Sequence, residues 1–275
     1  MMRSALIAAW EIARGTLWHR RGSLLALAIG AGLFHYILVA SYPAIGGIAA
    51  VEGVVRTFPP GLRRLLKIAP SLQAGFGLLN YLALGFFHPV FLGFGSAFVV
   101  GRATDALAGE IERGSIYLLL SRPVPRWSLV LGKALELALG AGLIALLGWL
   151  GMALGVWTTA LPEAVPLGRY LLIALVAWLL FAALGAGALV ISSWDNQTGR
   201  VVGLSSAWTL VAFLLDVIPA IAESPLAVLN PWHHYDPQAI LATGLVPIGA
   251  WLVLGGWIVI ATLVAALIFA RRDLA

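Results

Sequence analysis

Nine ionisable side chains crowd one stretch of the chain: Arg102, Asp105, Glu110, Glu112, Arg113, Arg122, Arg126, Lys133 and Glu136. Carboxylates and guanidinium groups at this density suit ionic recognition of a soluble partner. Signatures of catalysis are missing. No G-x-x-x-x-G-K-[ST] phosphate loop occurs, since Gly132-Lys133 is followed by Ala134 and lacks the upstream glycine, so the chain has no usual site for ATP. Neither H-E-x-x-H nor G-x-S-x-G is present. Gly95-Ser96 has no suitably placed His on another span to make a serine protease, and small residues in spans are usually packing contacts. In Trp232-His233-His234-Tyr235-Asp236, His233 and His234 are weak candidates for a transition metal, though such a cluster also suits an interfacial aromatic belt.

These polar groups are exceptional here. Hydrophobic residues make up 61% of the 275, charged residues 11%, and mean hydropathy is +0.97. A soluble domain carries about 25% charged residues, so the composition is that of an integral membrane protein. The net charge of +5 does not indicate nucleic acid, because the basic residues sit at the ends of apolar runs. With no cysteine, disulfides and zinc–thiolate sites are excluded.

A spanning helix needs about 20 apolar residues. Six runs qualify, at about 23–44, 78–101, 128–157, 169–192, 201–222 and 247–270. Their continuity excludes a barrel, whose strands alternate over about ten residues. A charge at the bilayer centre costs about 2.5–3.5 kcal/mol, so residues 102–127 must be a loop outside the hydrocarbon. With the N-terminus inside, twelve Lys and Arg fall on the cytoplasmic side and five on the other, which predicts cytoplasmic termini. Four of the five exceptions lie between Arg56 and Lys67. There Leu62, Leu65, Leu66 and Ala69 form an apolar stripe with Arg63, Arg64 and Lys67 opposite, the pattern of a short interfacial helix. The N-terminus repeats it with Leu6, Trp10, Ala13 and Leu17, predicting an interfacial helix over 1–21; the alternative is a plain extension of the first span into water.

Gly109-Glu110-Ile111-Glu112-Arg113-Gly114-Ser115, then Leu118-Leu119-Leu120-Ser121-Arg122-Pro123-Val124-Pro125-Arg126 and Gly132-Lys133, resemble the first cytoplasmic loop of ABC type-2 permeases. Ser115 stands where that family usually has Thr and keeps the hydroxyl. The resemblance implies an all-α fold over 1–275 with six spans, an N-terminal elbow helix, a coupling helix within the 102–127 loop, and outer loops at 45–77 and 223–246. It implies a membrane subunit of an ATP-driven exporter in the cytoplasmic membrane, with no ATPase site of its own. Two copies of a separate ATPase would hold ATP and Mg, beside a second permease and membrane lipid, and no nucleic acid. Asp105, Glu110, Glu112, Arg113, Gly114, Ser115, Arg122, Pro123, Arg126 and Lys133 would carry ATPase coupling. A non-transporting membrane scaffold and a secondary carrier are the alternatives.

The loop's own chemistry agrees. Ala103–Ile111 can form a short helix that Gly114 stops, and Pro123 and Pro125 force an extended turn before a span begins at Trp127. The alternative is a solvated loop whose charges only set topology. Pro89 should kink the second span. His88 and His35 read as neutral residues bonding or packing between helices, and Asp216 as solvated at the outer end of the fifth span. Gly30 and Gly32, Gly93 and Gly95, Gly185 and Gly187, and Gly255 and Gly256 give several spans faces where helices can approach closely.

Overall fold

The computed structural model describes residues 2–68, 72, 75–121 and 124–273. Within them the chain is helical, with no strand. Six segments are long and apolar enough to cross a membrane. They are α2 (Arg21–Ala40), the pair α5 (Leu78–Phe87) and α6 (Pro89–Ala106), α9 (Arg126–Thr158), α10 (Leu167–Trp194), α11 (Thr198–Val217) and α14 (Ala250–Arg271). Shorter helices fill the rest: α1 (Met2–His19), α3 (Gly47–Thr57), α4 (Pro60–Leu65), α7 (Ala108–Glu112), α8 (Ile116–Leu120), α12 (Pro219–Ala222) and α13 (Pro237–Thr243). Helix α9, at 33 residues, is roughly 50 Å long, so it outruns a hydrocarbon core of about 30 Å. Its start carries the charged groups.

Small residues organise the bundle. Helix α10 packs against α9, α14, α6 and α11 and is buried on nearly every side through its run of alanines and glycines. Helices α2 and α9 lie backbone to backbone, because a Cβ on Gly151 would stand 1.9 Å from the Gly32 carbonyl oxygen. Without a hydrophobic force between helices in lipid, such contacts carry the packing. Rings enter the other glycine gaps, Phe98 at Gly140, Phe181 at Gly95 and Trp208 at Gly187. Gly93, Gly255 and Gly256, grouped with these in the sequence, face open space: a Cβ on any of them would meet no atom within 4 Å. Leu25, Ile29, Leu33 and Ile37 of α2 and Leu204, Leu210, Val211 and Leu214 of α11 point outward, an apolar surface suited to lipid.

The second span breaks at His88-Pro89, as Pro89 requires. His88 packs across to α2, its ring centroid 5.0 Å from that of Phe34, without a hydrogen bond to another helix among the described residues. Exposed, it caps α6, its Nδ1 accepting from the Val90 N–H at 3.2 Å. His35 is fully buried between helices, with Nδ1 2.9 Å from the Ala31 carbonyl and its ring among Phe34, Phe86 and Phe91.

Helix α1 packs on the bundle through small residues. The face packed on α9 is Ala5, Ala9 and Ala13, and Leu6 and Trp10 are exposed. The approach is close at Gly132, where a Cβ would stand 2.7 Å from the Ala9 carbonyl oxygen and 2.9 Å from the Ile12 Cβ.

At the end remote from the charged cluster, Lys67 overturns two expectations. Its Nζ donates to the Trp232 and Tyr235 carbonyls at 2.9 and 3.0 Å and pairs with Asp216 at 2.8 Å. Asp216 is therefore not solvated; its side chain is 6% exposed and also meets His233 Nδ1 at 3.1 Å. Arg63 likewise turns inward, donating to the Phe58 and Arg56 carbonyls at 2.8 and 3.0 Å, which leaves Arg64 the exposed cation of that face. Leu62 and Leu66 are half-buried; Ala69 and the Leu65 side chain lie outside the described residues. The 223–246 stretch is built of 3₁₀ turns at Pro225–Leu229 and Pro231–His234 followed by α13.

Candidate functional site: a charged platform

Residues 102–121 and 124–136 form a platform tied into the bundle. The sequence predicts one helix over Ala103–Ile111; instead α6 runs to Ala106 and α7 starts at Ala108. The break has a cause. Ser192 Oγ accepts from the Ala108 N–H at 3.1 Å and donates to the Thr104 carbonyl at 3.3 Å. Those two backbone groups would otherwise bond to each other, so a hydroxyl from α10 has entered the helical ladder and turned the chain. Gly114, at φ +72°, then ends α7 in the left-handed region that glycine adopts freely.

Most of the charged residues singled out from the sequence are paired within the chain. Asp105 binds Arg20 from the α1–α2 junction and Arg113, the latter at 3.2 Å. Glu110 accepts from the Ser115 hydroxyl and lies 3.4 Å from Lys133 Nζ. Glu112 accepts the Thr198 N–H at 3.0 Å. It thereby caps the start of α11, whose own N-cap Gln197 makes no side-chain bond. Arg126 donates to the Arg272 carbonyl at 2.7 Å, and Arg272 to the Ser193 and Asp195 carbonyls at 3.0 and 3.1 Å. Arg122 and Pro123 lie outside the described residues.

The Thr198 contact holds the Glu112 carboxyl below the usual glutamate value of 4.5. A depressed carboxyl contributes its stabilisation above the unfolded value and loses it as pH falls through the folded one. The cap should thus persist down to about pH 4.5 and fail only below it. Corrected for the intrinsic slowing of amide exchange in acid, protection of the Thr198 amide should fall below about pH 4.5 in the parent chain, whereas Glu112→Gln should flatten that response. An identical acid response in both would remove Glu112 from the cap.

Four residues that bind the platform together were not among those the sequence assigned to coupling: Arg20, Arg102, Glu136 and Ser192. Arg102 and Glu136 are 7% and 1% exposed, with Nε and Oε1 3.7 Å apart. Arg102 Nη2 also donates to the Arg20 carbonyl at 2.7 Å and Ser23 Oγ at 3.2 Å. Arg102 and Glu136 already stood in the charged cluster, and Ser192 is a polar residue inside an apolar run.

What remains open to solution is the outer face of the platform. Leu118 is 75% exposed and Tyr117 54%, beside exposed Glu112 and Arg113. Apolar anchors ringed by charges suit a protein partner better than catalysis. Elsewhere, His233 and His234 are 5.5 Å apart ring to ring, but His234 Nε2 lies 2.8 Å from the Val228 carbonyl. Among the described residues no three His, Cys, Asp or Glu side chains gather to hold a metal ion.

A lateral crevice of about 570 Å³ between α6 and α11 is lined by Leu92, Val100, Leu210, Phe213 and Trp232. Buried on its wall, the Thr209 hydroxyl and the Trp232 indole N–H have no hydrogen-bond partner among the described residues.

Comparison with known proteins accords with this arrangement. The chain is 29% identical over 207 residues to the probable ABC transporter permease protein NosY of Stutzerimonas stutzeri, covering 62% of this chain and 73% of that one. The corresponding NosY of Pseudomonas aeruginosa is 30% identical over 209 residues, covering 62% and 74%. The family described as ABC-2 family transporter protein matches residues 36–274. The chain belongs to that family, as a multi-pass membrane subunit of an ABC transporter that works with an ABC ATPase.

Proposed function

We propose that the chain is one half of the membrane part of an ATP-driven exporter in the cytoplasmic membrane, with both termini cytoplasmic. Two copies of the permease, or this chain and a homologue, would pair with two ATPase subunits that bind ATP and Mg. The platform receives the ATPase: Tyr117 and Leu118 dock, and Arg113 and Glu112 make ionic contacts at their rim. Asp105, Glu110, Gly114, Ser115, Arg126 and Lys133 hold that surface in place. Helix α1 lies in the membrane interface as an elbow, its Leu6 and Trp10 toward lipid.

One observation carries this reading. Helix α7, which carries that surface, is bonded to α9, α10 and α11 and, through Arg113 and then Asp105, to the α1–α2 junction. A push on it would therefore reach the spans as a rigid-body shift, which is how alternating access is driven. ATP binding closes the ATPases and ADP release resets them. The lateral crevice, apolar with two spare hydrogen-bonding groups, supports an apolar or amphiphilic cargo.

Leu118→Arg tests docking without touching the fold, because that side chain is 75% exposed. The ATPase recovered with the purified chain should fall at least tenfold while its melting temperature stays within a degree or two. Undiminished recovery would sink the docking assignment. Glu110→Lys with Glu112→Lys should also lose the ATPase, but together with stability, since both carboxylates are bonded internally.

A further inference from the structure

A cavity of about 610 Å³ lies between α1, α8 and the start of α9. Its size is in the range of about 300–1,000 Å³ typical of ligand sites. One wall is apolar, formed by Ile12, Leu118, Leu119, Val124 and Leu129. The other carries both signs of charge, Glu11 and Glu110 against Arg20 and Lys133, with His19 and Ser115 between. Lys133 is 4% exposed, and its ammonium, with three donors, approaches Glu110 at a long 3.4 Å. Aromatic residues mark the surrounding surface as a membrane boundary: Trp10 and Trp18 are exposed on α1, and the Arg21 guanidinium sits 4.0 Å from the Trp18 ring centroid.

We infer that this cavity binds the head of a zwitterionic phospholipid whose cation is a primary ammonium, a phosphatidylethanolamine. The phosphate meets the ammonium of Lys133, with His19 and Arg20 beside it. The lipid ammonium, a three-fold donor, is shared between Glu11 and Glu110. The acyl chains leave over Leu119 and Leu129 into the leaflet.

The mixed charge discriminates among heads. A choline group has no N–H to give the carboxylates, and a glycerol head offers them hydroxyl donors but no cation. The inference rests on the membrane reading of the six helices and not on ATPase docking, so lipid retention tests it independently.

The experiment is competition on the full chain in mild detergent. Equal amounts of phosphatidylethanolamine, phosphatidylcholine and phosphatidylglycerol with matched chains are offered, and bound lipid is counted by native mass spectrometry. Ethanolamine lipid should be retained at least tenfold over either rival. A side chain at Gly15 grows into the cavity, since Gly15 lines it and has no atom within 4 Å of a Cβ. Gly15→Leu should therefore bring the ratio close to one without lowering the lipid-free melting temperature, and Glu11→Gln should do the same. Equal retention of the three lipids, or a preference that survives Gly15→Leu, overturns the inference. If soluble glycerophosphoethanolamine displaces the lipid at equal concentration, the apolar wall contributes nothing and the lipid assignment falls.

Discussion

Glu136→Leu should destabilise the chain by about 3–5 kcal/mol, the cost of leaving one member of a buried ion pair without its partner. Glu136 Oε1 lies 3.7 Å from Arg102 Nε, so the two interact by charge alone, and neither Oε1 nor Arg102 Nη1 has a hydrogen-bond partner among the described residues. With Glu136 gone, a guanidinium 7% exposed keeps the Arg20 carbonyl and the Ser23 hydroxyl but loses the carboxylate beside it. The double variant Arg102→Met/Glu136→Leu should recover most of the loss, because apolar side chains of similar volume often replace a buried pair at no cost or with a gain. Chemical denaturation in mixed micelles, run as a double-mutant cycle, measures both. A neutral single variant would mean that water reaches the pair and that it does not hold α6 to α9.

Gly151→Leu should be comparably disruptive. Its Cβ would stand 1.9 Å from the Gly32 oxygen and 2.6 Å from the Gly32 Cα. Those are backbone atoms and cannot rotate aside, so α2 must move away from α9 along its length. Overpacking costs about 1–3 kcal/mol where side chains can adjust, and this site should reach or exceed the top of that range. Gly255→Leu is the control, because no atom lies within 4 Å of a Cβ there. The first variant should be recovered poorly and melt early, and the second should behave as the parent chain. Equal behaviour of the two would show that α2 and α9 do not depend on close backbone contact.

The six spans, the break at Pro89, the stop at Gly114 and the charged loop were all legible in the sequence. Each is a local matter of apolar run length, a missing N–H, a left-handed φ or the cost of charge in hydrocarbon. Which face of a helix packs was not legible. In lipid an outward leucine is as well placed as an inward one, so the stripe of Leu6 and Trp10 pointed away from the alanine face that meets α9. The same ambiguity hid the glycines of α9, Gly132, Gly140 and Gly151, behind pairs such as Gly255 and Gly256 that touch nothing.

Partners distant in sequence were also out of reach: Asp216 with Lys67, Glu112 with Thr198, and Ser192 inside the Thr104–Ala108 ladder. Spacing along one helix cannot show which residue arrives from another. Hydropathy and backbone sterics act locally, so the order of residues was enough to specify six spans and one polar loop. Packing in three dimensions settled the rest: most of the loop's described charges hold it to the bundle, while Tyr117 and Leu118 face outward. A charge pairs with whatever group the fold brings within reach, and no local pattern records that group.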